Sequence, residues 1–320
     1  MKKGKYFNPI YIIILIIAFI PYLMGSTHLT MDSTTQVTES TTPEVPEAVT
    51  FAGEKLVLDR YDKREKMDRE LMSFSFMHTN SHLILKRANR FFPIIEPLLQ
   101  KNNVPDDLKY LMVIESSMNL LARSHAGAAG LWQFMPATGR EYGLEVNKNI
   151  DERYHIEKST TAACKYLKEA YSKYGSWLAA AASYNGGKNR ITTELNRQGV
   201  DEITDLWLVE ETSRYVYRLI AAKLFFENPQ QFGIYLKKEQ LYPPLKYKEV
   251  TITKEIADLS SFAKQQGINL ALLKDFNPWL REYNLENRSG RTYLLKIPTK
   301  ESLFYNPKET KLHNEKWVIH

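Results

Sequence analysis

Between Val104 and Asn119 the apolar positions repeat with the period of a helix. Leu108, Leu111, Met112 and Glu115 fall at i, i+3, i+4 and i+7, one face of an α-helix, and Tyr110, Val113 and Ile114 make the opposite side apolar too. Pro105, Asp106 and Asp107 suit a first turn, because proline lacks a donor where none is needed and carboxylates complement the N-terminal partial charge. The pattern predicts a buried helix that carries one carboxylate, Glu115, near its end.

The same periodicity recurs along the chain. MDRELMSFSFM (67–77) and LILKRANRFFPIIEPLLQ (83–100) predict helices within 51–102, the second punctuated by Pro93 and Pro97. A further helix is predicted from Ile156 to Tyr174, with Ser159, Thr160 and Thr161 near its start and Gly175 at its end. The alanine-rich run Trp177 to Ser183 then allows close helix approach, and Tyr184-Asn185-Gly186-Gly187 ends it with two glycines free to take positive φ. After Asn228-Pro229 the period changes: Tyr247–Ile252 and Tyr293–Ile297 have strand residue types, with helical patterns at Ile256–Gln266 and Leu270–Phe276 between them. The chain reads as mainly α, followed by a small β-α-α-β unit.

Composition divides the remainder. Lys2, Lys3 and Lys5 precede an apolar run from Ile10 to Met24, the layout of an export signal. Leu23 and Gly25 make a poor cleavage site, so residues 1–25 are expected to be a signal peptide or an uncleaved membrane anchor, placing the protein in the periplasm. Residues 26–50, rich in Ser, Thr, Pro and Glu, cannot bury enough surface to repay ordering and are expected to form a disordered linker. The expected divisions after it are a helical extension over 51–102, a main helical domain over 103–239, the β-α-α-β unit over 240–299 and a tail over 300–320.

The net charge of +6 suits an anionic polymer or a membrane surface, while nucleic acid would require Lys and Arg clustered on one element, and no such cluster is present. The single cysteine, Cys164, lies far from the N-terminus, which excludes both an intramolecular disulfide and an acyl-accepting cysteine after the export signal. It shares a helix face with Leu167 and Tyr171 and reads as a small core residue. His78 and His82 are four apart, but without a third ligand or a general-base glutamate they do not make a metal site, and no cofactor is expected.

Glu115 is the candidate for chemistry. A helical glutamate ordinarily faces solvent, yet here its own face is apolar, and both burial and the helix C-terminal partial charge raise a carboxyl pKa. A glutamic acid still partly protonated near neutrality can act as a general acid. The segment RSHAGAAGLWQFMPATG that follows reads as a tight loop, in which Gly127 and Gly130 permit close backbone approach and Pro136 with Thr138 begins a new helix. Trp132 and Phe134 on this loop either fill the core or form a sugar platform, and Gln133 offers an amide that donates and accepts.

Glu115-Ser116, Gly130-Leu131-Trp132-Gln133-Phe134-Met135-Pro136, Ala182-Ser183-Tyr184-Asn185-Gly186-Gly187 and Glu211-Thr212-Ser213-Arg214-Tyr215-Val216 resemble, in order, the motifs of the soluble-lytic-transglycosylase-type catalytic domain. The resemblance spans roughly residues 51 to 232 and points to the membrane-bound lytic murein transglycosylase D group. Ser183 stands where many members have alanine and Trp132 where many have methionine. The resemblance implies a lysozyme-like fold that cuts peptidoglycan between N-acetylmuramic acid and N-acetylglucosamine without water, leaving a 1,6-anhydro sugar. Glu115 would then act as acid and afterwards as base, with Ser116, Gln133, Phe134, Met135, Tyr184, Asn185 and Tyr215 binding substrate or positioning the acid, in a monomer that uses no cofactor. The alternatives are a hydrolytic muramidase, for which Asp151 is the nearby carboxylate able to activate water, and a non-catalytic wall-binding protein.

The β-α-α-β unit, with its Asn277-Pro278 turn and closing Ile297-Pro298, resembles a LysM carbohydrate-binding module, except that Thr253-Lys254 replaces the usual Gly-Asp after the first strand. That departure predicts weak glycan affinity. It leaves open that the unit docks on the helical domain through Trp279 and Tyr283 as buried anchors.

Overall fold

The computed structural model describes residues 42–288, 290–304, 306 and 310–319. The expected signal or anchor at 1–25, and the linker as far as residue 41, lie outside the described residues. Among the described residues, no helix is long and apolar enough to cross a membrane.

The stretch read as linker already contains structure. Strand β1, Ala48–Phe51, pairs antiparallel with β2, Glu54–Val57, in the register Val49↔Leu56. The connecting pair Ala52-Gly53 has positive φ at both residues, which matches the right-handed twist of a two-residue hairpin. Val49, Phe51, Leu56 and Leu58 bury their side chains at period two, a signal too short to stand out from the polar composition around it. The hairpin also caps a helix: Glu54 accepts hydrogen bonds from Ser176 Oγ at 2.7 Å and from the Trp177 backbone N–H, at the N-terminus of the helix that begins at Trp177.

Helices α1, Tyr61–Phe76, and α2, His78–Lys101, form the expected extension. Pro93 and Pro97 do not break α2. Each removes one bond, to the carbonyls of Asn89 and Pro93, both on the same side of the helix, and the burial of Phe91, Phe92, Ile95 and Leu99 holds the helix through the defect. A 3₁₀ turn over Asp106–Lys109 leads into α3, Tyr110–Ser116. Then follow α4, Pro136–Glu141; α5, Ile156–Tyr174; α6, Trp177–Gly186; α7, Lys188–Gln198; and α8, Glu210–Glu227.

In the helical core α8 packs on α1, α3 and α6, while α5 packs on α2 and α6. The run Ala179–Ala182 is buried in this core, where a small side chain sets the helix spacing. Gly187 takes positive φ as expected, but Gly186 stays helical. Its glycine is required for space, since a Cβ there would meet Thr212 Cγ2 at 3.1 Å and Ile191 Cδ1 at 3.2 Å.

The C-terminal unit comprises β3, Tyr247–Ile252; α9, Leu259–Gln265; α10, Leu270–Phe276; and β4, Tyr293–Pro298, with β3 and β4 paired antiparallel from Tyr247↔Pro298 to Ile252↔Tyr293. The first helix starts later than Ile256. That residue pairs with Leu285 as an isolated bridge, and Asp258 caps α9 by accepting from the Ser260 and Ser261 N–H groups.

The unit is joined to the helical domain by backbone. Asp151 N–H donates to the Trp279 carbonyl at 2.9 Å, Arg281 N–H to the Asn149 carbonyl at 2.9 Å, and Ile150 bridges Leu280. Ala129, Ile150 and Tyr154 of the helical domain share one hydrophobic core with Leu259, Leu273, Trp279 and Leu295. Of the two expected anchors, Trp279 is buried, whereas Tyr283 is 70 % exposed and does not act as one; its backbone carbonyl accepts from Leu259 N–H within the unit itself. The tail, nearly silent in sequence, seals the main core: Trp317 is buried with its Nε1–H donating to the Phe226 carbonyl at 2.9 Å, and Ile319 N–H donates to the Leu236 carbonyl.

Candidate active site

Glu115 occupies the last turn of α3, and the helix stops immediately after it because Ser117 and Met118 both take positive φ. Its carboxyl faces α8, where the Tyr215 hydroxyl donates to Oε1 at 2.6 Å. Burial raises the Glu115 pKa to about 7. The Tyr215 bond and the Arg218 charge work against that rise, while the Glu211 charge adds to it.

Two tyrosines flank the carboxyl, Tyr215 buried and Tyr184 half-buried. Burial and the Glu115 charge push both Tyr184 and Tyr215 well above the ordinary phenol range, so each remains a hydrogen-bond donor at any working pH. Tyr184 donates to the Trp132 carbonyl at 2.7 Å, and its ring meets Phe134 and Tyr166 edge to face. The motif loop, α6 and α8 are thereby brought onto one carboxyl.

The loop is built around an ion pair. Arg153 grips Asp151 through Nε at 2.8 Å and a terminal nitrogen at 2.7 Å, and donates to the carbonyls of Gly127 and Phe134. Gly130, at φ 78°, passes so close that a Cβ would lie 2.0 Å from the Arg153 carbonyl oxygen. Asp151 is 7 % exposed and both its oxygens are engaged by Arg153, so it does not supply the water-activating carboxylate that the hydrolytic alternative assigned to it.

The remaining expected site residues separate into two groups. Asn185 is half-buried beside Tyr184 and makes no side-chain hydrogen bond among the described residues, and Met135 is exposed at the loop's end, so both present free groups. Ser116 is buried and donates to the Met112 carbonyl of its own helix at 2.9 Å, so it touches no other site residue through its hydroxyl. Gln133 is held at φ 47° and donates its amide nitrogen to the Ala122 and Gly130 carbonyls, which braces the loop. Phe134 is buried against Tyr184. Trp132 fills the core, with Nε1–H donating to Thr160 Oγ1 at 2.9 Å.

Four charged neighbours were given no role from sequence. Glu70 of α1 is 1 % exposed and is bound by Arg214 Nε at 2.6 Å and Arg218 Nε at 3.3 Å, while Glu211 lies one turn before Tyr215. The spacing of Arg214 and Arg218, i and i+4 on α8, was the available signal for a shared carboxylate. Elsewhere, Cys164 is buried and its thiol is pushed up to about 12 by burial, consistent with a core role. His82 Nδ1 lies 2.6 Å from the His78 backbone carbonyl, and among the described residues no group of three or more metal-ligating side chains comes together.

Comparison with known proteins gives this arrangement a class. Residues 92–206 match the family described as Transglycosylase SLT domain, and residues 248–301 match the Soluble lytic transglycosylase C-terminal LysM-like domain. The two matched segments follow one another in that order. It is homologous to the Membrane-bound lytic murein transglycosylase D of Escherichia coli strain K12, with 30% identity over 244 residues, 75% of this chain and 52% of that protein. It is also 26% identical over 131 residues to the Soluble lytic murein transglycosylase of Salmonella typhimurium, covering 37% of this chain and 20% of that one. Among solved structures, the 70 kDa soluble lytic transglycosylase of Escherichia coli aligns with 43% of this chain and 24% of its own, at 20% identity and a TM-score of 0.37. The chain spans about half the length of the curated relatives it matches most fully.

Proposed function

We propose that this protein is a lytic transglycosylase that cleaves the β-1,4 bond between N-acetylmuramic acid and N-acetylglucosamine in peptidoglycan. The supporting observation is a glutamic acid kept protonated to about pH 7 by burial and held by a buried tyrosine, within a transglycosylase SLT domain.

In this reading Glu115 first gives its proton to the glycosidic oxygen, and the sugar–oxygen bond breaks as positive charge develops at C1. The 2-acetamido carbonyl oxygen of the same sugar closes on C1 and shares that charge, which removes the need for a protein nucleophile. Glu115, now a carboxylate, takes the proton from the C6 hydroxyl as that oxygen displaces the acetamido group from C1. The product is a 1,6-anhydro sugar, and Glu115 ends protonated. Tyr215 fixes the carboxyl throughout, while Asn185 presents its amide to substrate polar groups. The expected export signal at the N-terminus agrees with a periplasmic substrate.

Hydrolysis on the same scaffold is favoured by one observation, the exposed Glu211 close enough for its charge to act on Glu115. A mass spectrum of products from purified wall tests the two readings: anhydro ends are lighter by one water than reducing ends. Products with reducing ends only would exclude the transglycosylase reading.

A further inference from the structure

The chain has five tryptophans, and four are placed as a protein interior would place them. Trp132, Trp279 and Trp317 are buried, and Trp177 is half-buried, stacked on Tyr171 at 4.1 Å. Trp207 is 86 % exposed. Leaving an indole in water forgoes one of the largest burial gains a side chain offers, so its position calls for a cause.

That position is fixed from two directions. Leu206 to Val209 connect the end of a 3₁₀ turn to the start of α8, extended at Leu206 and Val209, with Leu206 buried in the core and Leu208 partly buried against it. At period two, Trp207 must then point outward, and it cannot turn inward without withdrawing both leucines. The backbone of Trp207 is also clamped on both sides by one side chain. Gln198, the last residue of α7, accepts from Trp207 N–H at 2.8 Å and donates to its carbonyl at 2.9 Å, while the same amide nitrogen donates to Glu194. The indole is therefore presented on a braced support.

Its surroundings suit a sugar. Trp207 stands as a ridge between two surface cavities, one of about 580 Å³ and one of about 330 Å³. Arg60, Arg69 and Arg214, each paired with a carboxylate, line the first together with Asp62, Asp205 and Glu210, and Arg190, Arg197, Gln198 and Glu194 line the second. An apolar face bordered by charged side chains that donate and accept matches a pyranose ring, which has C–H groups on its faces and hydroxyls that both donate and accept at its edge. The ridge is also near the candidate site. Three extended residues and about one and a half helical turns separate it from Tyr215, a path of no more than about 20 Å.

We infer that Trp207 is a binding platform on which a sugar ring of the glycan strand stacks, at a distance from the bond that is cut. The inference rests on the proposed function for the identity of the strand. Trp207 is a specificity-determining residue; it touches no reacting atom, and its contribution grows with strand length.

The test uses the full chain. On glycan strands long enough to reach the ridge, W207A should raise KM roughly five- to tenfold with kcat unchanged, on the shortest cleaved fragment it should change nothing, and W207F should stay within about twofold of the parent. In parallel, soluble peptidoglycan strands are titrated into E115Q while tryptophan emission is followed. Because the other four tryptophans are shielded, a blue shift on binding reports Trp207, and E115Q/W207F should lose it. Unchanged KM for W207A on long strands overturns the inference and leaves the catalytic reading intact. Conversely, a chain that fails to cleave wall but still gives a glycan-dependent shift at Trp207 keeps the platform and overturns the catalytic reading. A shift produced by phospholipid vesicles and not by glycan overturns the platform.

Discussion

The Tyr215 hydroxyl donates to Glu115 Oε1 at 2.6 Å, across the 100 residues that separate them in the chain. A phenol that cannot ionise at working pH is thus fixed on a carboxyl that burial keeps protonated to about pH 7. The bond stabilises the carboxylate against the acid and so limits how far burial can raise the pKa.

Replacing Tyr215 with phenylalanine removes a contact that lowers the Glu115 pKa. The alkaline limb of the kcat/KM profile should therefore move to higher pH, with kcat reduced about tenfold by the freed carboxyl. An alkaline limb that stays in place or moves down would show that the hydrogen bond does not couple to the titrating group.

Glu115→Gln should reduce cleavage of purified peptidoglycan by at least roughly 10²-fold in a protein that remains folded. Stability gives a second readout with a definite sign. A carboxyl raised from 4.5 to about 7 by folding favours the fold when protonated, so its cost appears as pH rises from about 4.5 through 7. Melting curves should show Glu115→Gln more stable than the parent at pH 8 and close to it at pH 4; the reverse order would falsify the buried-acid assignment.

Gly130→Ala places a Cβ 2.0 Å from the Arg153 carbonyl oxygen at a backbone φ of 78°. Both strain and overlap act in the folded state, so urea unfolding should show a loss of more than about 2 kcal/mol. A loss under about 0.5 kcal/mol would mean that the loop shifts freely around Arg153.

Trp279 packs at the junction, with its ring stacked on His155 and on Tyr293 and its carbonyl accepting from Asp151. Trp279→Ala should cost about 3 to 5 kcal/mol and leave the C-terminal unit cleavable by limited proteolysis between residues 240 and 247. Because the parent unit shares a core with the helical domain, the intact protein should unfold in one transition. Two well-separated transitions in the parent would show that the junction carries little energy.

Local pattern was enough for much of this protein. The helix at Glu115, the span Ile156–Tyr174 and the β-α-α-β order are written in apolar spacing, because one amphipathic element shows its own buried face. Glu115 was legible for the same reason: a carboxylate among apolar neighbours on its own face is largely shielded from water. What the sequence could not show are relations between distant residues. The Glu54 cap on α6, the Arg153 bonds to the Gly127 and Phe134 carbonyls, the effect of the exposed Glu211 on Glu115 and the Glu70 pair with α8 arise only when separate elements meet. The Ala48–Val57 hairpin and the Trp317 plug were hidden because each depends on burial against a core that its own few residues do not encode. Gln133, in turn, looked like a free amide until the fold turned its side chain back on the Ala122 and Gly130 carbonyls. Spacing along the chain determines which face is buried; only the tertiary contacts determine which polar groups remain unsatisfied there, and therefore which are free to act.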